Sequence, residues 1–161
     1  MIRLKHLIMA VIVAVALSPT ASAVDFNHDG VVDVKTAVTV AETTELDFGA
    51  VSDNDGTVTL GLADSITSDP NGIAAGGTVA TGDYTITGES GALVTIVLTG
   101  SGPTSGLTIG NFTTDQADLN NVTITGGSIV LAIGDDLTVA EATAAAGLNY
   151  PLNFTLGITY N

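Results

Sequence analysis

The most regular pattern in the sequence runs Leu152-Asn153-Phe154-Thr155-Leu156-Gly157-Ile158-Thr159-Tyr160-Asn161. Apolar residues occupy its even positions, and polar residues or glycine occupy its odd positions. Because successive side chains of a β-strand point to opposite faces, a period of two held over this length predicts a half-buried strand. Such a strand can also pair with a second chain. We therefore expect its apolar residues to serve assembly; they are Leu152, Phe154, Leu156, Ile158 and Tyr160.

Upstream of this strand, short runs rich in Val, Ile, Thr and Leu alternate with clusters of Gly, Asn, Asp and Ser. This pattern is typical of antiparallel β-sheet with tight turns. The predicted strands are 31–40, 45–51, 57–62, 82–87, 93–98, 107–112, 121–125, 128–133, 137–139 and 152–160. The predicted core comprises Leu46, Phe48, Tyr84, Ile86, Leu93, Ile96, Phe112, Phe154, Leu156 and Ile158. The expected fold is all-β: a single antiparallel β-sandwich, immunoglobulin-like or pilin-like, with about 8–10 short strands.

The first 23 residues have the composition of an export signal. Basic Arg3 and Lys5 precede an apolar run at 7–17, and Ala21-Ser22-Ala23 fits a signal-peptidase site. Cleavage is therefore predicted after Ala23, with the protein exported to the periplasm, the cell surface or the medium. The apolar run is shorter than the ~20 residues that a spanning helix needs, which argues against a retained membrane anchor. No second apolar run of spanning length follows it, so we expect no membrane insertion of the mature chain. The predicted organisation is a signal peptide at 1–23, an N-terminal extension at 24–36 and a β-sandwich domain at 37–161.

Charge and cysteine content exclude several classes of function. The chain has 17 acidic and 3 basic residues, and Lys35 is the one basic residue that follows Ala23. Such an acidic chain repels nucleic acid and anionic lipid, so neither is an expected partner. It has no cysteine and therefore no disulfide. His28 is the one histidine after Ala23, and no nucleophile elbow or phosphate loop is present, so no enzymatic activity is predicted.

Several blocks resemble the bacterial family of domain of unknown function 4402. The segment 35–51 contains the Leu46-Asp47-Phe48-Gly49 signature, and 83–91, 109–113, 133–139, 144–147 and 155–161 resemble later blocks. The family carries no established catalytic activity. The resemblance implies an exported β-sandwich similar to subunits of chaperone–usher fimbriae and to spore-coat-U-like secreted pilin domains. It also implies self-association through strand exchange, assisted by a periplasmic chaperone and an outer-membrane usher. The cysteine pair that many pilins carry is missing here.

A second motif, Asp25-Phe26-Asn27-His28-Asp29-Gly30-Val31-Val32-Asp33, has the spacing D-x-N-x-D-G-x-x-D. It resembles the calcium loops of dockerins and thrombospondin-type repeats. Side-chain oxygens of Asp25, Asn27, Asp29 and Asp33 with the carbonyl of Val31 would form a set of hard ligands suited to calcium. Thr36 stands where a bidentate acid is expected, so the affinity would be weak. The alternative interpretation is a solvated acidic tail.

The same segment also fits a donor strand. Val24 and Phe26 begin an alternating pattern, so residues 24–34 could fill a groove in a neighbouring subunit. Alternation alone does not say which chain a strand joins, and 32–40 could equally be the first strand of the same sandwich.

The expected function is that of a secreted structural protein, a surface filament or fimbria-like subunit assembled by β-strand exchange. The alternative is a monomeric calcium-stabilised surface adhesin or carbohydrate-binding β-sandwich module. The absence of tryptophan favours the structural role, because sugar-binding sandwiches usually stack aromatic rings on the sugar.

Overall fold

The structure is a computed structural model that describes residues 31–141, 144 and 150–161. Contacts divide the chain into two units, Met1–Asp33 and Val34–Asn161. The strands lie in the second unit, and the description below concerns it. The predicted signal peptide lies outside the described residues.

The described residues form twelve β-strands and one short 3-10 turn at Thr125–Gly127. The strands are β1 Thr39–Thr44, β2 Ala50–Val51, β3 Gly56–Leu60, β4 Ile66–Ser68, β5 Ala74–Gly76, β6 Gly82–Thr87, β7 Leu93–Gly100, β8 Leu107–Thr108, β9 Thr113–Thr114, β10 Val122–Thr123, β11 Ser128–Val139 and β12 Phe154–Tyr160. The prediction of an all-β, sandwich-like fold is confirmed, with more strands than expected.

All strand pairs are antiparallel, and they form three sheets. The largest has the order β1-β6-β11-β3-β4, with β8 and β9 also paired to β11. A three-stranded sheet has the order β10-β7-β12, and β2 pairs with β5. Consequently β1 is an edge strand of the large sheet, and β12 is an edge strand of the three-stranded sheet.

The core consists of two clusters of buried apolar side chains. In the first, Tyr84, Ile86, Leu131 and Ile133 of the large sheet pack against residues of the three-stranded sheet and its flanks, namely Val94, Ile96, Val122 and Ile124. The second cluster lies around the other half of β11 and contains Phe48, Val58, Leu60, Ile73, Leu107, Ile109, Leu137 and Val139. Phe112 and Phe154 pack against both clusters, so they join the two halves of the core.

The strand at 31–40 was predicted too early in the chain. The first strand begins at Thr39, and Val31, Val32 and Val34 are 83–99 % exposed. The segment 45–51 forms a strand only at Ala50–Val51. The runs predicted at 128–133 and 137–139 are one continuous strand, β11. Residue 134 is a glycine within that strand because a Cβ there would overlap the carbonyl oxygen of Leu60 on the paired strand.

The core prediction was right for Phe48, Tyr84, Ile86 and Ile96 and wrong for Leu93, which is 43 % exposed. Leu93 and Ile96 are an odd number of positions apart on β7, so their side chains point to opposite faces of the sheet. Val94 and Ile96 are the buried pair. The other predicted core residues are half-buried: Leu46, Phe112, Phe154, Leu156 and Ile158.

Candidate functional site

The outer edge of β12 has no backbone partner among the described residues. On its inner side β12 pairs with β7, from Phe154 opposite Gly100 to Tyr160 opposite Val94. The N–H of Ser101 donates to the carbonyl of Asn153, and the N–H of Asn161 donates to the carbonyl of Leu93. In an antiparallel pair, hydrogen-bonded residues alternate with residues whose N–H and C=O point away from the partner strand. The odd-numbered residues therefore bond to β7, and the even-numbered residues present their backbone groups outward.

A groove of about 1220 Å³, lined by both apolar and polar residues, lies along this edge. We call it the β1–β12 groove. It is lined by Val40 and Glu42 of β1, by Tyr84 of β6, and by Phe154 and Leu156 of β12. It continues past the end of β1 to Leu46, Phe48, Val51 and Leu152. β1 pairs only with β6 in the described residues, so the groove is bordered by two strands that each have a free edge.

Aromatic rings form the floor of the groove at its Phe154 end. The ring of Phe154 makes an edge-to-face contact with Tyr84 at 5.7 Å and a tilted contact with Phe112 at 5.2 Å between centroids. The hydroxyl of Tyr84 donates to the carboxylate of Glu42 at 3.0 Å. Burial, together with the charge of Glu42, raises the pKa of Tyr84 well above its usual value. Tyr84 therefore remains a neutral hydrogen-bond donor and ties β1 to the core.

At the other end of β12, beyond the residues that line the groove, hydrogen bonds around Tyr160 connect this strand to the chain just before β1. We call this set of bonds the Tyr160 clasp. The Tyr160 hydroxyl donates to the carbonyl of Thr36 at 2.7 Å and accepts the N–H of Glu89 at 2.7 Å. Thr36 donates its hydroxyl, at 2.8 Å, and its N–H to the carboxylate of Glu89. These bonds from Thr36 hold the pKa of Glu89 below its usual value. The Lys35 ammonium lies 5.6 Å from the centroid of the Tyr160 ring.

Gly88 leaves the space that the clasp needs. A Cβ at this position would lie 2.6 Å from the Tyr160 hydroxyl and 2.8 Å from Cδ1 of Ile124. Gly88 also donates its N–H to the carbonyl of Gly127, which fixes the end of β6. A larger residue at position 88 would have to displace the Tyr160 hydroxyl.

The rim of the groove is acidic. Glu42, Glu45, Asp47 and Asp53 line it, and no basic side chain does so among the described residues. An occupant of the groove must therefore place apolar side chains on the floor and keep its own acidic groups away from this rim.

A buried carboxyl group lies elsewhere, on β11. The side chain of Asp135 is 1 % exposed. Its Oδ1 accepts the backbone N–H groups of Gly110 at 3.3 Å, Asn111 at 2.8 Å and Asp136 at 2.7 Å. Its Oδ2 has no hydrogen-bond partner in the described part of the chain. Burial raises the pKa of Asp135 despite the three donors. This residue fastens the loop around residue 110 to β11.

The predicted site residues fall into two groups. Leu152, Phe154, Leu156, Ile158 and Tyr160 lie along one strand and are all half-buried, and the first three line the groove. Val24, Asp25, Phe26, Asn27 and Asp29 lie outside the described residues. Val31 and Asp33 are exposed. Among the residues that the structure describes, no group of three His, Cys, Asp or Glu side chains could hold a metal ion. The calcium site stays a prediction.

Sequence reasoning missed the opposite wall of the groove and the clasp. The alternation of Val38 and Val40 was a usable signal for β1, but it was assigned to a strand that began too early. The clasp joins Thr36, Glu89 and Tyr160, which are distant in sequence, and no short motif links them. The glycine at position 88 was interpreted only as a turn residue.

The comparisons with known proteins identify the family. The model of a family described as "Domain of unknown function (DUF4402)" matches residues 38–160. The chain therefore belongs to the DUF4402 family, and the match spans every strand of the sandwich. No curated protein and no solved structure matches the chain. Within the described residues, no helix has the length and apolar character needed to span a membrane.

Proposed function

We propose that the protein is an exported structural subunit that assembles into a surface filament by β-strand exchange. Residues 24–34 of one copy would lie in the β1–β12 groove of the next copy and pair with β12. The observation that carries this proposal is that, among the described residues, the outer edge of β12 has no strand partner and borders a groove with an apolar floor.

The backbone supplies the first argument. A free strand edge presents a row of unpaired N–H and C=O groups, and natural proteins usually cover or interrupt such edges. The outward groups of Phe154, Leu156, Ile158 and Tyr160 belong to the same residues whose side chains face the interior. A strand laid along β12 would therefore gain hydrogen bonds and cover apolar side chains in one step. Before assembly, a temporary strand from a periplasmic chaperone would protect the same edge.

The second argument is the fit of residues 24–34. If this segment is extended, Val24, Phe26, Val32 and Val34 lie on one face, with His28 and Gly30 between them. Asp25, Asp29 and Asp33 lie on the other face, with Asn27 and Val31. The apolar face matches the floor of the groove, and the acidic face would point to water and away from the acidic rim. A self-copy is thus a chemically suitable occupant.

The length of residues 24–34 also agrees with their proposed position along β12. Seven residues of β12 span about 23 Å, and eleven extended residues span about 36 Å, at the usual rise per residue of a strand. The segment could cover the whole of β12 and leave a few residues to link two subunits. Cleavage after Ala23 would free this segment, since Val24 would then be the first residue of the exported chain.

Exposed aromatic surface is scarce in this protein. Of the aromatic residues that the structure describes, Phe48 and Tyr84 are buried, and Phe112, Tyr150, Phe154 and Tyr160 are half-buried. A carbohydrate-binding module usually needs an open ring on which a sugar can stack. This distribution favours strand assembly over the alternative of a sugar-binding module.

The test compares two variants in the donor segment. Phe26→Asp places a charge on the apolar face, and the control Asn27→Asp places the same charge on the opposite face. We expect the wild type and Asn27→Asp to form oligomers and Phe26→Asp to stay monomeric, as measured by light scattering and electron microscopy. A synthetic peptide of residues 24–34 should bind to a subunit that lacks these residues. A wild type that stays monomeric, together with no peptide binding, would contradict the proposal.

A further inference from the structure

Two grooves compete for a tethered donor strand: the groove of its own subunit and the groove of a neighbouring copy. The segment 24–34 is joined to the domain at Lys35 and Thr36, which lie beside Tyr160 at the end of β12. A short tether gives a segment an effective concentration in the millimolar range at a site it can reach. At micromolar subunit concentrations, self-insertion would therefore exceed insertion into a neighbour by about a thousandfold, unless the geometry forbids it.

We infer that the Tyr160 clasp is the device that prevents self-insertion and so makes the partner a second copy of this chain. This inference rests on the proposed function. It adds the reason why the subunits form open oligomers rather than monomers and closed dimers.

The geometry of the clasp supports this role. β1 leaves the clasp and runs toward Glu42, and Glu42 bonds to Tyr84, which contacts Phe154. β12 runs the other way, from Phe154 to Tyr160. To enter its own groove, the segment before Lys35 would have to reverse direction immediately and lie beside β1 as a hairpin. The reversal would fall on Lys35 and Thr36, whose positions are fixed by the clasp.

Each contact of the clasp restrains that reversal. The carbonyl, the N–H and the hydroxyl of Thr36 are all engaged, one by Tyr160 and two by Glu89. The Lys35 side chain is directed over the Tyr160 ring. Val34, the next residue toward the N-terminus, is 89 % exposed. Val34 is therefore exposed to solvent next to the clasp, and both backbone groups of Thr36 are already bonded, so a reversal at Lys35 and Thr36 would have to break these bonds.

Two variants disable the clasp by different routes. Tyr160→Phe removes the hydroxyl, and Gly88→Ala keeps the hydroxyl but adds a Cβ where that oxygen lies. Thr95→Val is the matched control. It removes a hydroxyl that bonds Asn161 and Asn120 at the same end of β12 and leaves the clasp intact. All three are made in the mature chain, and their oligomer distributions are measured by light scattering and electron microscopy.

We expect Tyr160→Phe and Gly88→Ala to lower the fraction of open oligomers at least tenfold, in favour of monomers and closed dimers. Thr95→Val should assemble as the wild type does. The monomers should fail to bind the peptide of residues 24–34, because their grooves are filled by their own segments. Deleting residues 24–34 from Tyr160→Phe should restore peptide binding to the level of the deleted wild type, which shows that the groove is intact.

Wild-type assembly with unchanged assembly of Tyr160→Phe would overturn this inference and leave the proposed function standing. Monomers of Tyr160→Phe that still bind the peptide would also overturn it, because their grooves would then be empty. A wild type that does not assemble and a trimmed subunit that does not bind the peptide would overturn the proposed function, and this inference with it.

Discussion

Replacing Phe154 by alanine should have different consequences in an empty and in a filled groove. The ring is half-buried, contacts Tyr84 and Phe112, and lines the β1–β12 groove. Truncating a fully buried phenylalanine costs about 3–5 kcal/mol of unfolding free energy. For a half-buried ring with two aromatic contacts, each worth about 0.5–1.5 kcal/mol, we expect a loss of about 2–4 kcal/mol when the groove is empty.

A bound donor strand would cover the remaining half of the ring. Since full burial of a large apolar side chain is worth about 1.5–3 kcal/mol, covering half of the ring is worth about 1 kcal/mol, and the variant should lose this amount in addition in the filled state. That loss corresponds to peptide binding weakened about fivefold. The control is Ile86→Ala. Ile86 is fully buried and does not line the groove, so a donor strand cannot bury it further, and its cost of about 2–5 kcal/mol should be the same in both states.

Urea unfolding of the subunit that lacks residues 24–34, with and without saturating peptide, measures the loss of unfolding free energy in the empty and in the filled groove. Titration calorimetry with the same peptide measures the loss of binding affinity. If Ile86→Ala weakens peptide binding as much as Phe154→Ala does, or if neither variant changes the affinity for the peptide, the donor does not cover Phe154 and the proposed binding position is wrong.

Three further outcomes are expected. Millimolar calcium, but not magnesium, should raise the melting temperature of the mature chain if residues 25–33 bind it, and Asp29→Ala should remove the rise. The folded-state pKa of Asp135 is raised, so the folded state holds a proton that the unfolded chain has lost, and stability should fall as pH increases from about 4 through the raised pKa. Urea unfolding across this range should show a flatter profile for Asp135→Asn, whose Oδ1 can still accept the three N–H groups. Ile158→Asp should unfold the domain or block peptide binding, whereas Thr159→Asp, on the exposed face of the same strand, should change stability by less than ~0.5 kcal/mol in urea titration.

Alternation predicted the strands where one face is buried and the other is exposed. β6 was predicted at Gly82–Thr87 and is found there, and β12 lies within its predicted span. Both strands have a strict period of two, which is the direct consequence of half-burial. The short strands β4, β5 and β9 were not predicted, because two or three residues cannot display a period.

β11 was missed as a single strand for a different reason. Gly134, Asp135 and Asp136 have the composition of a turn, so the sequence predicted a break between two strands. In the fold, the glycine is needed for a close approach of two backbones, and the first aspartate is buried with three N–H donors. The carbonyl of Leu60 and two of the three donors, Gly110 and Asn111, are more than 20 positions away in sequence, and local propensity carries no information about them.

The candidate site was predicted only in part, for the same reason. The five even-numbered residues of the last strand were identified from their period. The sequence could not identify the pairing that leaves their backbone groups free, because this pairing depends on which strands flank β12. A half-buried strand at the centre of a sheet and one at its edge have the same alternating pattern.

The composition of the chain limits the interactions that could join two subunits, and the edge position of β12 is compatible with this limit. With 3 basic and 17 acidic residues, the chain has few means of joining subunits by salt bridges, and it has no cysteine for covalent links. Main-chain hydrogen bonds and apolar burial are the interactions that remain, and the outward backbone groups of β12 beside the floor of the groove could supply both. An inserted strand uses the two together, and its release would require all of those bonds to break cooperatively. A filament built in this way would hold without charge pairing between its subunits, which suits a chain whose surfaces repel each other.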